Sequence, residues 1–229
     1  MKIGKCQICD SSLAHSDKAI FARCYNCGKG ENTYIKCVDD HYLCNSCVSN
    51  EIMGTLYEKI PKMTERNPLD IAEKIFIECG VSGNTPHPIL AGAFLMSFKN
   101  TTNSITYGDV LEGIKRTSKI SGGWCGYYGA CGAAVALGVC FSIIKKATPM
   151  HDKERSLANI VTAHGLQAVA SQGGPRCCVG SVRGVLNEGT RLVKIHLGID
   201  FPAKRMNSKG CFFSKFNLEC KKKGVIFMK

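Results

Sequence analysis

The sequence predicts a mainly α protein, with a small cysteine-rich N-terminal module followed by an all-α helical domain. Three observations predict this. Seven cysteines and a histidine fall in four close pairs within residues 1–50, a stretch with few aliphatic residues. From residue 67 onward apolar residues recur at helical spacing, with capping and breaking residues between the runs. Glycine-rich segments that carry cysteines then interrupt the helical pattern at residues 122–132 and 173–178. The expected division is residues 1–50 as the metal module, 51–66 as a linker helix, and 67–229 as an α-helical domain with a Cys/Gly-rich site.

A chain of 229 residues has room for one good core and a small satellite. At 45% hydrophobic and 21% charged residues the composition is that of a folded globular protein. Fifteen cysteines stand out. The opening MKIGKCQICD is polar and has no leader pattern. The longest apolar run, residues 130–144, is too short and too glycine-interrupted for a membrane span. Thiols in that setting read as metal ligands of a cytoplasmic protein, not as a disulfide framework. The formal charge of +12 fits a solvated basic surface or an acidic protein partner. Lysines and arginines are not interleaved with aromatics, so nucleic acid is the less favoured partner.

The module carries the register Cys6-x2-Cys9, Cys24-x2-Cys27, Cys37-x3-His41 and Cys44-x2-Cys47. Eight donors suffice for two closed tetrahedral sites, so two zinc ions are expected. A Cys-x2-Cys turn presents two sulfurs to one ion while backbone N–H groups donate to them. Gly28 suits such a knuckle because the residue there often needs positive φ. Cys37, His41, Cys44 and Cys47 are cramped as the shell of one ion. A cross-braced pairing relieves this, with Cys24, Cys27, Cys44 and Cys47 on one ion and Cys6, Cys9, Cys37 and His41 on the other. The spacing from Cys24 to Cys47 is similar to RING-type and treble-clef fingers. The last RING pair is missing, so ligase activity is not implied. A stretch this poor in aliphatics needs metal for stability, and a structural role is favoured over a rubredoxin-like iron or open catalytic site.

Asn67-Pro68 reads as N-cap and first helical residue, and Gly80 closes that helix, with Cys79 on its apolar face. A turn over residues 82–88 leads to a second apolar helix starting at Pro88. His87 stands between two prolines in a rigid position expected to be exposed, where a ligand or acid–base histidine fits as well as an idle loop residue. Residues 106–118 form a third helix, with Val110, Leu111 and Ile114 inward.

The segment GGWCGYYGACG, residues 122–132, is too glycine-rich for ordinary helix. Free N–H groups in such a turn, ahead of a helix start, favour negative charge and so a thiolate at Cys125 or Cys131. The next helix, residues 133–147, has small residues Ala134, Gly138 and Ser142 at a spacing of four, and Cys140 in the core. Asp152 caps a further helix that contains His164 and closes at Gly173-Gly174. Arg176-Cys177-Cys178 follows. Adjacent cysteines diverge, so both rarely bind one ion. They can serve a polynuclear cluster, or one can bind while the other packs or reacts. Arg176 can hold a thiolate, sulfide or anionic ligand. A last helix, residues 179–199, turns Val182, Val185, Leu186, Leu192, Val193 and Ile195 inward. Cys211 and Cys220, among Phe212, Phe213 and Phe216, either fold back over the site or pack as an ordinary tail. A basic run lies at residues 221–223.

The central expectation is that Cys125 and Cys131 meet Cys177 and Cys178 in one pocket with His87 and Arg176. The competing reading makes all four cysteines small core residues.

GWCGYYGACGAA, KKATP, GGPRCC and CVDDHYLCNSC together resemble the domain of unknown function 5714, a prokaryotic family found in anaerobic bacteria and archaea. The resemblance covers nearly the whole chain and supplies no established reaction. Family members are sometimes joined to a methyltransferase domain. No methyltransferase glycine loop stands in this chain, so the resemblance implies a methyltransferase or redox partner in a complex. Three functions follow as expectations. The first is a zinc-stabilised protein of anaerobic metabolism holding an iron–sulfur cluster for redox work, cluster delivery or sulfur transfer. The second is a transferase without iron, using Cys125, Cys131 or Cys177 as nucleophile with His87 or His164 as base. The third is a non-enzymatic zinc-finger adaptor.

Overall fold

The computed structural model describes residues 5–80, 85–174, 176–204, 211–215 and 220. The turn residues 82–84, Pro175, Phe216 and the basic run at 221–223 lie outside them. Two antiparallel strands, β1 (Leu13–Arg23) and β2 (Gly30–Cys37), form a hairpin. Helix α1 (Asn45–Lys59) and a 3-10 turn, Ile60–Lys62, lead out of the module. The body is built from α2 (Pro68–Cys79), α3 (Pro86–Thr102), α4 (Tyr107–Ser118), α6 (Gly132–Ile144), α7 (Asp152–Gln172) and α8 (Cys178–Leu197), with one helical turn, α5 (Trp124–Tyr127), before α6.

Helix α3 is the axis of the body. Every residue from Pro86 to Phe98 is buried, because PILAGAFLMSF offers no charged side chain before Lys99. A helix that is apolar all round must be surrounded. Helices α2, α4, α6 and α8 do this, and Phe94 meets both Phe141 of α6 and Phe201 beyond α8. Burying each such Leu, Ile or Phe side chain contributes roughly 1.5–3 kcal/mol.

Local signals set the helix ends. The Asn67 side chain accepts from Leu69 N, with Pro68 in the first helical position, and Gly80 stops α2 at φ 69°. Thr106 and Asp109 form a reciprocal capping box on α4. The small stripe on α6 does what its spacing predicts. A Cβ on Gly138 would overlap Thr162, and Gly165 of α7 brings its own Cβ position to 3.0 Å from the Cα of Ala134. Cys79 and Cys140 are core residues at 2% and 0% exposure. Burial pushes the Cys140 thiol up, as a packed thiol with no cation nearby requires.

Three expectations are corrected. Helix α3 starts at Pro86, not Pro88. His87 is thus the second residue of a buried helix, only 8% exposed, and not an exposed loop residue. Ile195 faces out at 58% exposure, because α8 has turned its apolar stripe away by its last turn. Asp152 is the first residue of α7, and His151 occupies the cap position.

Candidate metal centres and thiol pocket

In the module the described residues with buried side chains number five, and four of them are cysteines: Cys6, Cys24, Cys37 and Cys44, with Ala22. The core of this unit is its donor set. The eight side chains group as Cys6, Cys9, Cys37, His41 and as Cys24, Cys27, Cys44, Cys47, and within each group all donor atoms lie within 4.8 Å of one another. Cys9 Sγ is 3.5 Å from Cys37 Sγ and 3.3 Å from His41 Nδ1, and Cys27 Sγ is 3.7 Å from Cys44 Sγ. Sulfurs on one tetrahedral ion at ~2.3 Å stand about 3.8 Å apart, so both groups fit an ion.

The backbone builds these sites. Each Cys-x2-Cys turn at residues 6–9 and 24–27 ends in a left-handed residue, Asp10 at φ 66° and Gly28 at φ 72°. N–H groups of Ile8, Asp39 and Cys44 donate to the sulfurs of Cys6, Cys37 and Cys24 at 3.3–3.4 Å. The hairpin carries Cys37 back to Cys6 and Cys9, and the start of α1 carries Cys44 and Cys47 to Cys24 and Cys27. Four crowded thiols cannot all ionise without a cation between them. Burial raises the Cys24 thiol, but N–H donors from Cys44, Cys27 and Asn26 outweigh this and lower it to about 6. Cys47, hydrogen-bonded to Cys27, Cys44 and Cys24, is pushed up to about 12. A divalent cation resolves that conflict, because metal ligation deprotonates every thiol.

The helical body holds a second constellation. His87, Cys125, Cys131, Gly132, Arg176 and Cys178 line one small cavity of ≈ 30 Å³. Its makers are helix starts. His87 is the second residue of α3, Cys131 is the N-cap of α6, and Cys178 is the first residue of α8. Three helices therefore aim their positive ends at one point, with the Arg176 guanidinium on the same wall. The Cys131 side chain makes no cap hydrogen bond to α6. Burial pushes the Cys178 thiol up, with negative charge at Cys125, Cys131 and Cys177 acting in the same direction and Arg176 opposing it.

His87 is oriented from behind. Its Nδ1 lies 3.2 Å from the Ile120 carbonyl oxygen, an acceptor, so Nδ1 carries the proton and Nε2 keeps its lone pair. Burial holds this imidazole below the ordinary 6.5, with the Ile120 bond opposing. The far edge of the ring packs on the backbone of Gly132.

Not every expected thiol arrives. Cys177 does not line the cavity, and its sulfur accepts the N–H of Gly180 at 3.3 Å as the cap of α8. Cys211 lies elsewhere, its Sγ 3.1 Å from Nη1 of Arg183, which is buried against Glu73 of α2. Arg183 and Glu73 went unread in the sequence. Their signal was a charge at position 73, on the same helical face as Leu69, Ala72 and Phe76. His164 is partly exposed, with Nδ1 3.6 Å from Glu188. Tyr127 and Tyr128 are exposed at 86% and 75%, so they rim the turn and do not wall the cavity.

Among the described residues, only the two module groups bring three or more donor atoms within 4.8 Å of one another. Cys125, Cys131 and Cys178 do not form such a group. Also among the described residues, no helix is long and apolar enough to cross a membrane.

No curated protein and no solved structure matches the chain. One family model does, over residues 56–228, which takes in α2 to α8 and the whole thiol cavity but leaves out the paired-cysteine module. The chain belongs to the family of unknown function DUF5714.

Proposed function

We propose that the protein is a metalloprotein with two kinds of centre. The two module groups hold zinc as structural ions, and the helical cavity holds an iron–sulfur centre for redox, cluster-delivery or sulfur-transfer work. Closed sets of four donors support zinc, three cysteines with a histidine in one group and four cysteines in the other. Structural zinc sites take this composition and leave no open position.

One observation carries the second assignment. Cys125, Cys131 and Cys178 come from separate elements and line one cavity with His87, without crowding to the spacing of a single ion. The residues fit such a group. Cys125, Cys131 and Cys178 would provide thiolate donors with His87 beside them, and three helix N-termini with Arg176 offset the negative charge that thiolates and sulfide bring. When bound, the centre supplies one-electron chemistry or labile sulfide. The chain's own part is to hold the donors at rigid helix starts, keep His87 neutral, and limit solvent on the α3 side.

The test is purification without oxygen, followed by zinc, iron and sulfide analysis and visible spectroscopy. Two zinc ions per chain with iron and sulfide in addition are expected. A colourless anaerobic protein with zinc alone would end the cluster assignment and leave the zinc one standing.

A thiol enzyme without iron is the second reading. Its support is that Cys125 is exposed while Cys131 sits at the cap of α6, an anion-favouring position. Iodoacetamide labelling at neutral pH distinguishes it, since one fast cysteine is expected there and uniform slow labelling counts against it.

A further inference from the structure

A larger cleft lies between the metal module and the helical body. Its volume is ≈ 860 Å³. Residues 31–37 of β2, residues 5–8, Leu13 and Tyr42 line it on the module side, and Gly80 and Arg176 on the body side. A cleft on one face of a strand is lined by alternate residues. Every residue from Glu31 to Cys37 lines this one, so it runs along the edge of β2.

That edge has no neighbour. β2 belongs to a two-stranded sheet, with β1 on its other side. Along β2 the N–H groups alternate between β1 and the outside. Val38 donates to Ser12, next to β1, while Cys37 donates outward to His41. Ile35 N–H donates to the hydroxyl of Thr33 at 3.2 Å, and that hydroxyl donates to the Ile35 carbonyl at 3.0 Å. These outward groups have local stand-ins and no adjacent strand among the described residues.

The dimensions fit an extended chain. Six steps of ~3.3 Å make the β2 wall about 20 Å long. Spread over that length, the cleft has a section of about 43 Å², and a strand ~4.8 Å from its neighbour in a layer ~10 Å deep takes about 48 Å².

The lining selects the side chains. Ile8, Tyr34 and Ile35 are exposed apolar groups on the wall. Glu31, the one carboxylate among the described lining residues, is held by the Lys29 ammonium and the Tyr42 hydroxyl, each at 2.6 Å. Lys36 is paired with Asp40. Lys5 and Arg176 have no carboxylate partner among the described residues. The cleft thus presents two unpaired cations and no unpaired acid.

We propose that this cleft docks an extended acidic segment of a partner protein. The segment adds a strand to the open edge of β2, sets apolar side chains against Ile8, Tyr34 and Ile35, and brings carboxylates to Lys5 and Arg176. Arg176 also lines the thiol cavity, so the docked segment lies beside the thiols. The inference rests on the zinc reading only for the folding of the module, and not on the cluster.

Full-length protein, its zinc content measured, is panned against a displayed library of random eight-residue peptides, and the enriched peptides are synthesised. Peptides that combine Asp or Glu with Val, Ile or aromatic residues are expected, with saturable shifts of the amide resonances of residues 31–37. One proline in mid-peptide is expected to weaken binding at least roughly tenfold, because it removes a ladder hydrogen bond. Lys5, Ile35 and Arg176 are exposed, so substitution there leaves the fold intact. Lys5→Gln and Arg176→Gln are each expected to weaken binding about tenfold, the loss of one charge-assisted hydrogen bond, with zinc content unchanged. Ile35→Glu is expected to weaken it at least as much, by repelling the acidic peptide. No enrichment, enrichment of Lys- and Arg-rich peptides, or binding that leaves residues 31–37 unshifted overturns the inference. Two zinc ions in a protein that binds no such peptide would sink this inference and keep the zinc assignment. Peptide binding along β2 in a protein without zinc would do the reverse.

Discussion

The imidazole of His87 occupies the space where a side chain on residue 132 would stand, so Gly132 and His87 share one position in the wall of the cavity. Gly132 opens α6 and His87 opens α3, and the absent Cβ lets the two helix starts approach. Gly132→Ala must displace the ring and break its bond to Ile120, at roughly 1–3 kcal/mol. In the His87→Ala background the same methyl group meets no ring, so the two substitutions are expected to be strongly non-additive in urea denaturation. Additive losses would mean that the ring is not what the methyl group meets.

Removing metal is expected to dissect the molecule. The module's buried side chains are nearly all donors, whereas the body's core is aliphatic and aromatic. A chelator should therefore abolish amide-exchange protection in the β1–β2 hairpin while α2, α3 and α6 keep theirs. Cys24→Ser and Cys37→Ser lie in different groups, and each should lower bound metal by one ion of two. Loss of both ions from either variant would show that the sites fold as one.

The buried pair Glu73–Arg183 joins α2 to α8, with Nη2 2.8 Å from Oε2 and both side chains under 10% exposed. Removing Arg183 leaves the buried Glu73 carboxylate with only Lys204 Nζ, 3.9 Å from its Oε1. Arg183→Leu is expected to cost about 3–5 kcal/mol, and the double change Glu73→Leu/Arg183→Leu much less. Thermal unfolding of the three proteins decides it. Because Arg183 also holds Cys211 Sγ, Arg183→Leu should speed alkylation of Cys211 as well.

Acid should loosen α4 through its cap. The Thr106 backbone N–H, then its hydroxyl, hold the Asp109 carboxyl below its ordinary 3.8. The unfolded chain thus binds this proton more readily than the folded one. The stabilisation is complete above pH 3.8 and is lost as pH falls through the lower native value. Urea midpoints measured down that range should fall more steeply for the wild type than for Asp109→Asn. Thr106→Ala should cost about 1 kcal/mol at neutral pH.

Much of this was legible in the residues. The Cys-x2-Cys register implied two four-donor groups, and Asn67-Pro68, Gly80, Thr106 and the small stripe on α6 marked helix ends and a close crossing, because caps, breakers and spacing act over a few residues. The sequence alone thus determined the mainly helical body, the cysteine-paired module and the burial of Cys79 and Cys140. Only the tertiary structure decided that His87 is buried inside α3 and not exposed ahead of it, that Cys178 enters the cavity while Cys177 caps α8, and that Cys211 goes to Arg183. Those outcomes depend on which face each helix turns to its neighbours. That is settled by packing against partners far along the chain, 33 residues away for His87 and Ile120 and 28 for Arg183 and Cys211, where no local rule reaches.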